Sequence, residues 1–174
     1  MTLRACSDLP SLRRHDLFGA VRAAFANGST DRFRIIQFSV QRDHVHLLLE
    51  ADGHTRLRRG VQRLAIRIAK AANRTLRRHG RIWADRYHVR ALTTPREVRY
   101  ALVYVLQNWK KHLPGVRGLD PRSSAAWFTG GRLPTTAPPG HAPIVTARTW
   151  LASVGWRRHG LLRFDERPRP RLLR

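Results

Sequence analysis

The spacing of apolar residues divides the chain into alternating short strands and longer helices. Residues 2–6 have strand character. Over 12–26, Leu12, Leu17, Val21, Ala24 and Phe25 recur at helical spacing, and Ser11 is placed to cap the start. The polar segment 27–31 ends that helix. Residues 32–41 alternate, with Ile36, Phe38 and Val40 on one face and Ile35, Gln37 and Ser39 on the other. A tight connection at Arg42–Asp43 leads into 44–50, so the two strands predict a hairpin. A long helix follows over 56–79. Its buried stripe is Leu57, Val61, Leu64, Ala65, Ile68, Ala72 and Leu76, and Gly80 stops it. Residues 81–92 predict a strand or an irregular strand pair. Thr94-Pro95-Arg96-Glu97 predicts a helix start with Thr94 as N-cap, Pro95 at the first position and Glu97 closing a capping box. That helix runs to about 111 or 112, and Pro114-Gly115 ends it.

This order predicts an α+β fold, an antiparallel sheet covered by helices. Beyond 112 the composition turns rich in proline, glycine and arginine. We therefore expect a compact domain over 1–112 and a mostly irregular C-terminal extension over 113–174, with one short helix near 147–154 and a disordered end at 167–174.

Charge narrows the function. Lys+Arg is 34 and Asp+Glu is 11, a formal net charge of +23. Such a surface concentrates polyanions, and nucleic acid fits better than an anionic membrane because the basic helix keeps an apolar stripe suited to core burial. In that helix Arg59, Arg63, Arg67, Lys70 and Arg74 recur every three or four residues, a stripe distinct from the apolar one. With so little acid to pair with it, the stripe is expected to track phosphates, and Lys110 and Lys111 form a second basic cluster. Trp83, Tyr87 and Trp109 are candidates for base stacking, Trp109 also for the core. A single cysteine, Cys6, excludes an internal disulfide and any cysteine-based zinc site, and fits a reducing, cytoplasmic setting in association with DNA. No apolar run approaches the ~20 residues of a membrane span.

Two groups of residues carry candidate chemistry. In His44-Val45-His46 the alternation of a strand puts both imidazoles on one face, with Leu48 and Glu50 behind them, while Val45, Leu47 and Leu49 point to the other. Such a pair can hold a divalent metal, or be ordinary strand histidines. On the helix after Thr94, Tyr104 and Asn108 lie one turn apart, away from the Val98/Leu102/Val105/Leu106/Trp109 cluster. Alone, Tyr104 reads as a surface tyrosine, and Tyr100 and Tyr87 compete with it. Beside a metal it becomes a nucleophile for a phosphodiester, with the amide oxygen of Asn108 as a third ligand.

The segment RDHVHLLLE (42–50) resembles the histidine–hydrophobic–histidine motif of the HUH nucleases. YVLQNWKKH (104–112) is similar to the tyrosine helix of single-tyrosine insertion-sequence transposases and REP-associated tyrosine transposases. The order of HVHLLLE, a long basic helix, GRIWADRYH (80–88) and the tyrosine helix also matches, so the resemblance covers roughly 1–112. It implies a ferredoxin-like palm and places His44, His46 and Asn108 as ligands of Mg²⁺ or Mn²⁺. It implies Tyr104 as the nucleophile of a covalent 5′-phosphotyrosine. Single-stranded DNA next to hairpins would be cleaved and rejoined by a monomer or homodimer. Many relatives have glutamine where Asn108 stands, and Trp109 stands where proline is usual. Two rivals remain: a catalytically inactive or domesticated nucleic-acid binder, and a metal-dependent hydrolase that uses water.

Overall fold

The computed structural model describes residues 1–113, 115–132 and 135–168. The expected disordered end therefore lies mostly outside the described residues, as does Pro114. Three strands, β1 (Thr2–Arg4), β2 (Phe33–Val40) and β3 (His44–Ala51), form an antiparallel sheet in the order β1-β3-β2. The hairpin β2–β3 follows from two apolar runs joined by a polar turn, and pairing with β1 makes β3 central. Helices α1 (His15–Ala26) and α2 (His54–Thr75) cover one face. Helix α3 (Pro95–Gln107) covers the other, followed by a short α4 (Trp109–His112) and, much later, α5 (Trp150–Ser153). The α+β class predicted from the order of elements is what the structure shows.

The first face is apolar. Phe33, Ile35, Phe38 and Val40 of β2 stand opposite Ala51, Leu49, Leu47 and Val45 of β3, and pack on Phe18, Val21, Phe25, Val61, Leu64 and Ile68. The predicted alternation fails in β2 at one point. A β-bulge between Ile35 and Gln37 inserts an extra residue, so Ile36 leaves the face of Phe38 and Val40 and joins the opposite core beside Leu48 and α3. Without that shift Ile35 and Phe38 would fall on opposite faces.

Helix boundaries also move: the helix expected to run to about 111 or 112 breaks at Asn108 into α3 and α4, and α2 begins at His54, two residues early. α1 begins at His15 rather than near 12. Leu12 donates its amide to the Arg42 carbonyl and is buried, and Ser11 receives the Arg13 amide in a turn instead of capping the helix. α2 ends at Thr75, four residues early. Arg77 takes a left-handed conformation (φ 50°), the Arg78 amide reaches back to the Asn73 carbonyl, and the Asn73 side chain holds the Gly80 carbonyl at 2.9 Å. Turning there lets Ile82 bury itself against Leu17 and Ala72. Residues 81–92 then form isolated bridges to the edge strand, Ala5 with Trp83 and Thr2 with His88, rather than a strand pair.

The polar face of the sheet lies under α3 and the segment beyond 112. Thr94 and Glu97 make the predicted capping box with Pro95 in the first turn. Val98, Leu102 and Leu106 of α3 share a core with Ile36 and Leu48, and Ala125, Phe128, Trp156 and Leu162 of the C-terminal segment complete it. Three polar anchors tie that segment down. Arg13 makes a two-pronged contact to buried Asp120 (2.7 and 3.0 Å). Ser124 donates to Gln37 at 2.5 Å. Glu50, paired with Arg34 across the strands, receives the amides of Arg148 and Thr149, each at 2.9 Å. Burial pushes the Glu50 carboxyl up, but these hydrogen bonds outweigh it and hold it below its ordinary value. Among the described residues no helix is long and apolar enough to cross a membrane.

Candidate active site

The register of β3 sets the site. His44, His46, Leu48 and Glu50 share the polar face, and His46 lies opposite Ser39 on one side and Thr2 on the other. The two imidazole rings meet edge to face with centroids 4.6 Å apart. Each ring is backed by an oxygen. His44 Nδ1 lies 2.7 Å from Asp43 Oδ1, and His46 Nδ1 lies 2.9 Å from Thr2 Oγ1. An ionised carboxylate only accepts, so His44 Nδ1 carries the proton and its Nε2 edge keeps the lone pair when the ring is neutral. The hydrogen bond to His44 also holds the Asp43 carboxyl below the usual carboxylate range. This oxygen-behind-histidine arrangement fixes ring orientation in metal sites.

Helix α3 brings Tyr104 against His46. Its ring meets that of His46 edge to face, with centroids 4.9 Å apart. Desolvation pushes the Tyr104 phenol above its ordinary value. The Lys111 ammonium stands 5.2 Å from the centre of the same ring, seven residues on and across the break between α3 and α4. Tyr100, one turn earlier, lies under Arg96 and accepts from its Nε at 3.3 Å, and Tyr87 packs on the core of the opposite face.

Asn108 is the residue at that break. It is 1 % exposed, and neither its Oδ1 nor its Nδ2 has a hydrogen-bond partner among the described residues. A buried primary amide with both polar atoms unanswered is unusual in a folded protein. No group of three His, Cys, Asp or Glu among the described residues is placed to hold a metal.

Of the residues predicted to contact DNA, Arg59, Arg63, Arg67, Lys70 and Arg74 are all exposed along α2, and none makes an ion pair among the described residues. Lys111 is exposed as well. Lys110 is not. It is buried, its ammonium donates to the Phe164 carbonyl, and desolvation lowers it from its ordinary value. It pins the C-terminal segment rather than facing a polyanion. Nor is Trp83 presented to bases: its indole N–H donates to the Ala65 carbonyl of α2 at 2.9 Å. The sequence reading missed Asp43 and Thr2. Asp43 sits next to the histidine motif and carried a local signal, whereas Thr2 reaches His46 only through the β1–β3 register.

Fold and site together define an α+β protein whose central strand carries a histidine pair faced by a tyrosine helix. The family described as Transposase IS200 like matches residues 21–108, half of the 174-residue chain. The chain belongs to the IS200-like transposase family and is, at that level, a transposase that processes DNA. No curated protein matches it, and no solved structure does.

Proposed function

We propose that this transposase cleaves and rejoins single-stranded DNA, with Tyr104 as nucleophile and His44, His46 and Asn108 as the ligands of a divalent metal. The observation that carries the reading is the convergence of the two imidazoles and the phenol in one chain, ring to ring at 4.6 and 4.9 Å. The donor set would be two imidazoles with their Nδ1 atoms tied back and the oxygen of an amide that is buried without a partner among the described residues; the amide oxygen suits Mg²⁺ or Mn²⁺, the ions that the family resemblance implies. Once bound, such an ion polarises the scissile phosphate and offsets charge on its non-bridging oxygens.

The chain's own residues do the rest. The Tyr104 oxygen forms a bond to phosphorus as the bond to the 3′ oxygen breaks. The phenolic proton leaves through solvent and the departing 3′ oxygen gains one, so the products are a 5′-phosphotyrosine and a free 3′-hydroxyl. The new ester keeps the bond energy of the diester, so the reverse attack by another 3′-hydroxyl joins strands. Lys111, above the Tyr104 ring, adds positive charge where the phosphate must sit. The exposed stripe from Arg59 to Arg74 holds the flanking strand through phosphate contacts.

The test is a denaturing gel of the protein with end-labelled single-stranded DNA containing a hairpin and Mn²⁺. A covalent adduct that Tyr104→Phe, His46→Ala and EDTA each abolish supports the reading. Cleavage without an adduct selects a water-using hydrolase, and binding alone selects an inactive binder. An adduct lost in Tyr100→Phe and kept in Tyr104→Phe refutes the assignment of the nucleophile.

A further inference from the structure

Beside the His46–Tyr104 pair the polar face of the sheet is not filled. A cavity of about 440 Å³ opens there, with both rings in its wall. The rest of the wall is mainly apolar: Leu57 of α2, Val98 of α3, Val89 and Leu92 of the irregular segment, and Leu151 and Ala152 of α5. Val89 is 48 % exposed, an apolar side chain left at the rim with nothing covering it. Of its polar groups, His46 and Glu50 are buried, while His54, Arg90 and Thr149 are exposed. A concave apolar pocket with a few polar groups, larger than the roughly 300 Å³ at which small-molecule sites begin, is built for a flat, mostly apolar body that is polar at its rim.

The far wall is supplied from outside the residues that match the family. Thr149, Leu151 and Ala152 lie beyond position 108, and the Glu50 carboxylate fixes them in place through the amides of Arg148 and Thr149. The pocket therefore belongs to this chain's own C-terminal segment as much as to the common palm. Tyr104 itself lines this opening, so a strand whose phosphate meets Tyr104 would bring a neighbouring base to it.

We propose that this cavity is a nucleobase pocket: it takes one unstacked base flanking the scissile phosphate, and the wall of residues 149–152 gives the enzyme a base preference at that position. The inference rests on the reading of Tyr104 as nucleophile. An unpaired base enters such a pocket without the cost of unpairing it from a partner, which agrees with a single-stranded substrate. Apolar contact and the Tyr104 ring hold its faces, and the rim groups read its edge.

The experiment uses the full chain, Mn²⁺ and a library of oligonucleotides with a fixed hairpin followed by a randomised single strand. Covalent adducts are isolated under denaturing conditions and their cut ends sequenced. The pocket predicts a base preference confined to one position beside the cut. It also predicts that an abasic residue at that position slows adduct formation by roughly tenfold or more, as loss of one stacked base does elsewhere. In Ala152→Phe, which fills the cavity, the ratio of rates for the intact and abasic strands falls to near one. Thermal melting checks that this variant is folded, and the abasic scan on the unmodified protein tests the idea without any variant. Adducts that form with no base preference, and with no abasic-sensitive position beside the cut, overturn the pocket while leaving the tyrosine chemistry standing. If no library member forms an adduct, the reading of Tyr104 fails and the pocket falls with it.

Discussion

Replacing Asn108 with leucine separates the cost of building the site from its use. The Asn108 side chain is buried, both its polar atoms lack partners among the described residues, and its backbone is helical (φ −59°, ψ −32°) with no side-chain cap to lose. An unsatisfied buried polar group costs about 1–3 kcal/mol. Leucine has nearly the same branching, no polar atoms and a better helix propensity than asparagine. In metal-free protein Asn108→Leu should therefore raise stability by about 2 kcal/mol. For a chain of this size that is a rise of roughly 4–8 °C in melting temperature. The same change removes the proposed third ligand, so the further rise that Mn²⁺ is expected to give the parent by binding only the folded state should shrink or vanish in the variant. The assay is thermal unfolding of both proteins in EDTA and across a Mn²⁺ titration. A variant that melts lower than the parent in EDTA, or that keeps the full Mn²⁺ increment, refutes the reasoning. The first result would mean that the amide is satisfied, the second that it is no ligand.

Four further outcomes are expected. Because burial raises the Tyr104 phenol, its oxygen is protonated at neutral pH, and the phenolate fraction grows tenfold per pH unit. Adduct formation should accordingly climb through pH 8 and 9, and a plateau at or below pH 8 would contradict this. Thr2→Val removes the oxygen behind His46 Nδ1 and should weaken Mn²⁺ binding about 10–100-fold by calorimetry, with the fold intact by circular dichroism. Arg63→Ala and Arg67→Ala should each flatten the dependence of log K on log salt for single-stranded DNA by about 0.7 for each phosphate no longer neutralised, whatever the sequence. Gly60→Ala places a Cβ 2.2 Å from the buried Phe33 ring where α2 crosses β2, and overpacking of about 1–3 kcal/mol should lower the urea midpoint despite alanine's better helix propensity.

Local patterns settled most of the framework. Alternation in 44–50 was enough to put His44 and His46 on one face, because a strand has a fixed period of two and the register of β3 is regular. The capping box at Thr94 fixed where α3 begins, and with it the turn on which Tyr104 and Asn108 stand, because both partners of the box lie within four residues. The net charge and the exposed stripe of α2 were equally legible, since neither depends on long-range packing.

What escaped the sequence is what the chain decides only by meeting itself. The bulge at Ile36 answers two cores on opposite faces of β2, and no single-strand period contains both. Thr2 comes to His46 across 44 residues of chain, through pairing that local propensity does not encode. Lys110 reads as one more surface cation beside Lys111, yet the C-terminal segment folds over it, since a lysine's surroundings depend on what packs above it. That segment reads from sequence as a mostly irregular extension, and irregular backbone has no periodic signature to show that Trp156 and Leu162 fill the core over α3 or that Thr149, Leu151 and Ala152 wall the cavity at Tyr104. The sequence by itself determined the elements and the faces of the candidate catalytic residues. Tertiary packing alone decided that Thr2 backs His46, that Lys110 is buried while Lys111 stays in solvent, and what closes the site.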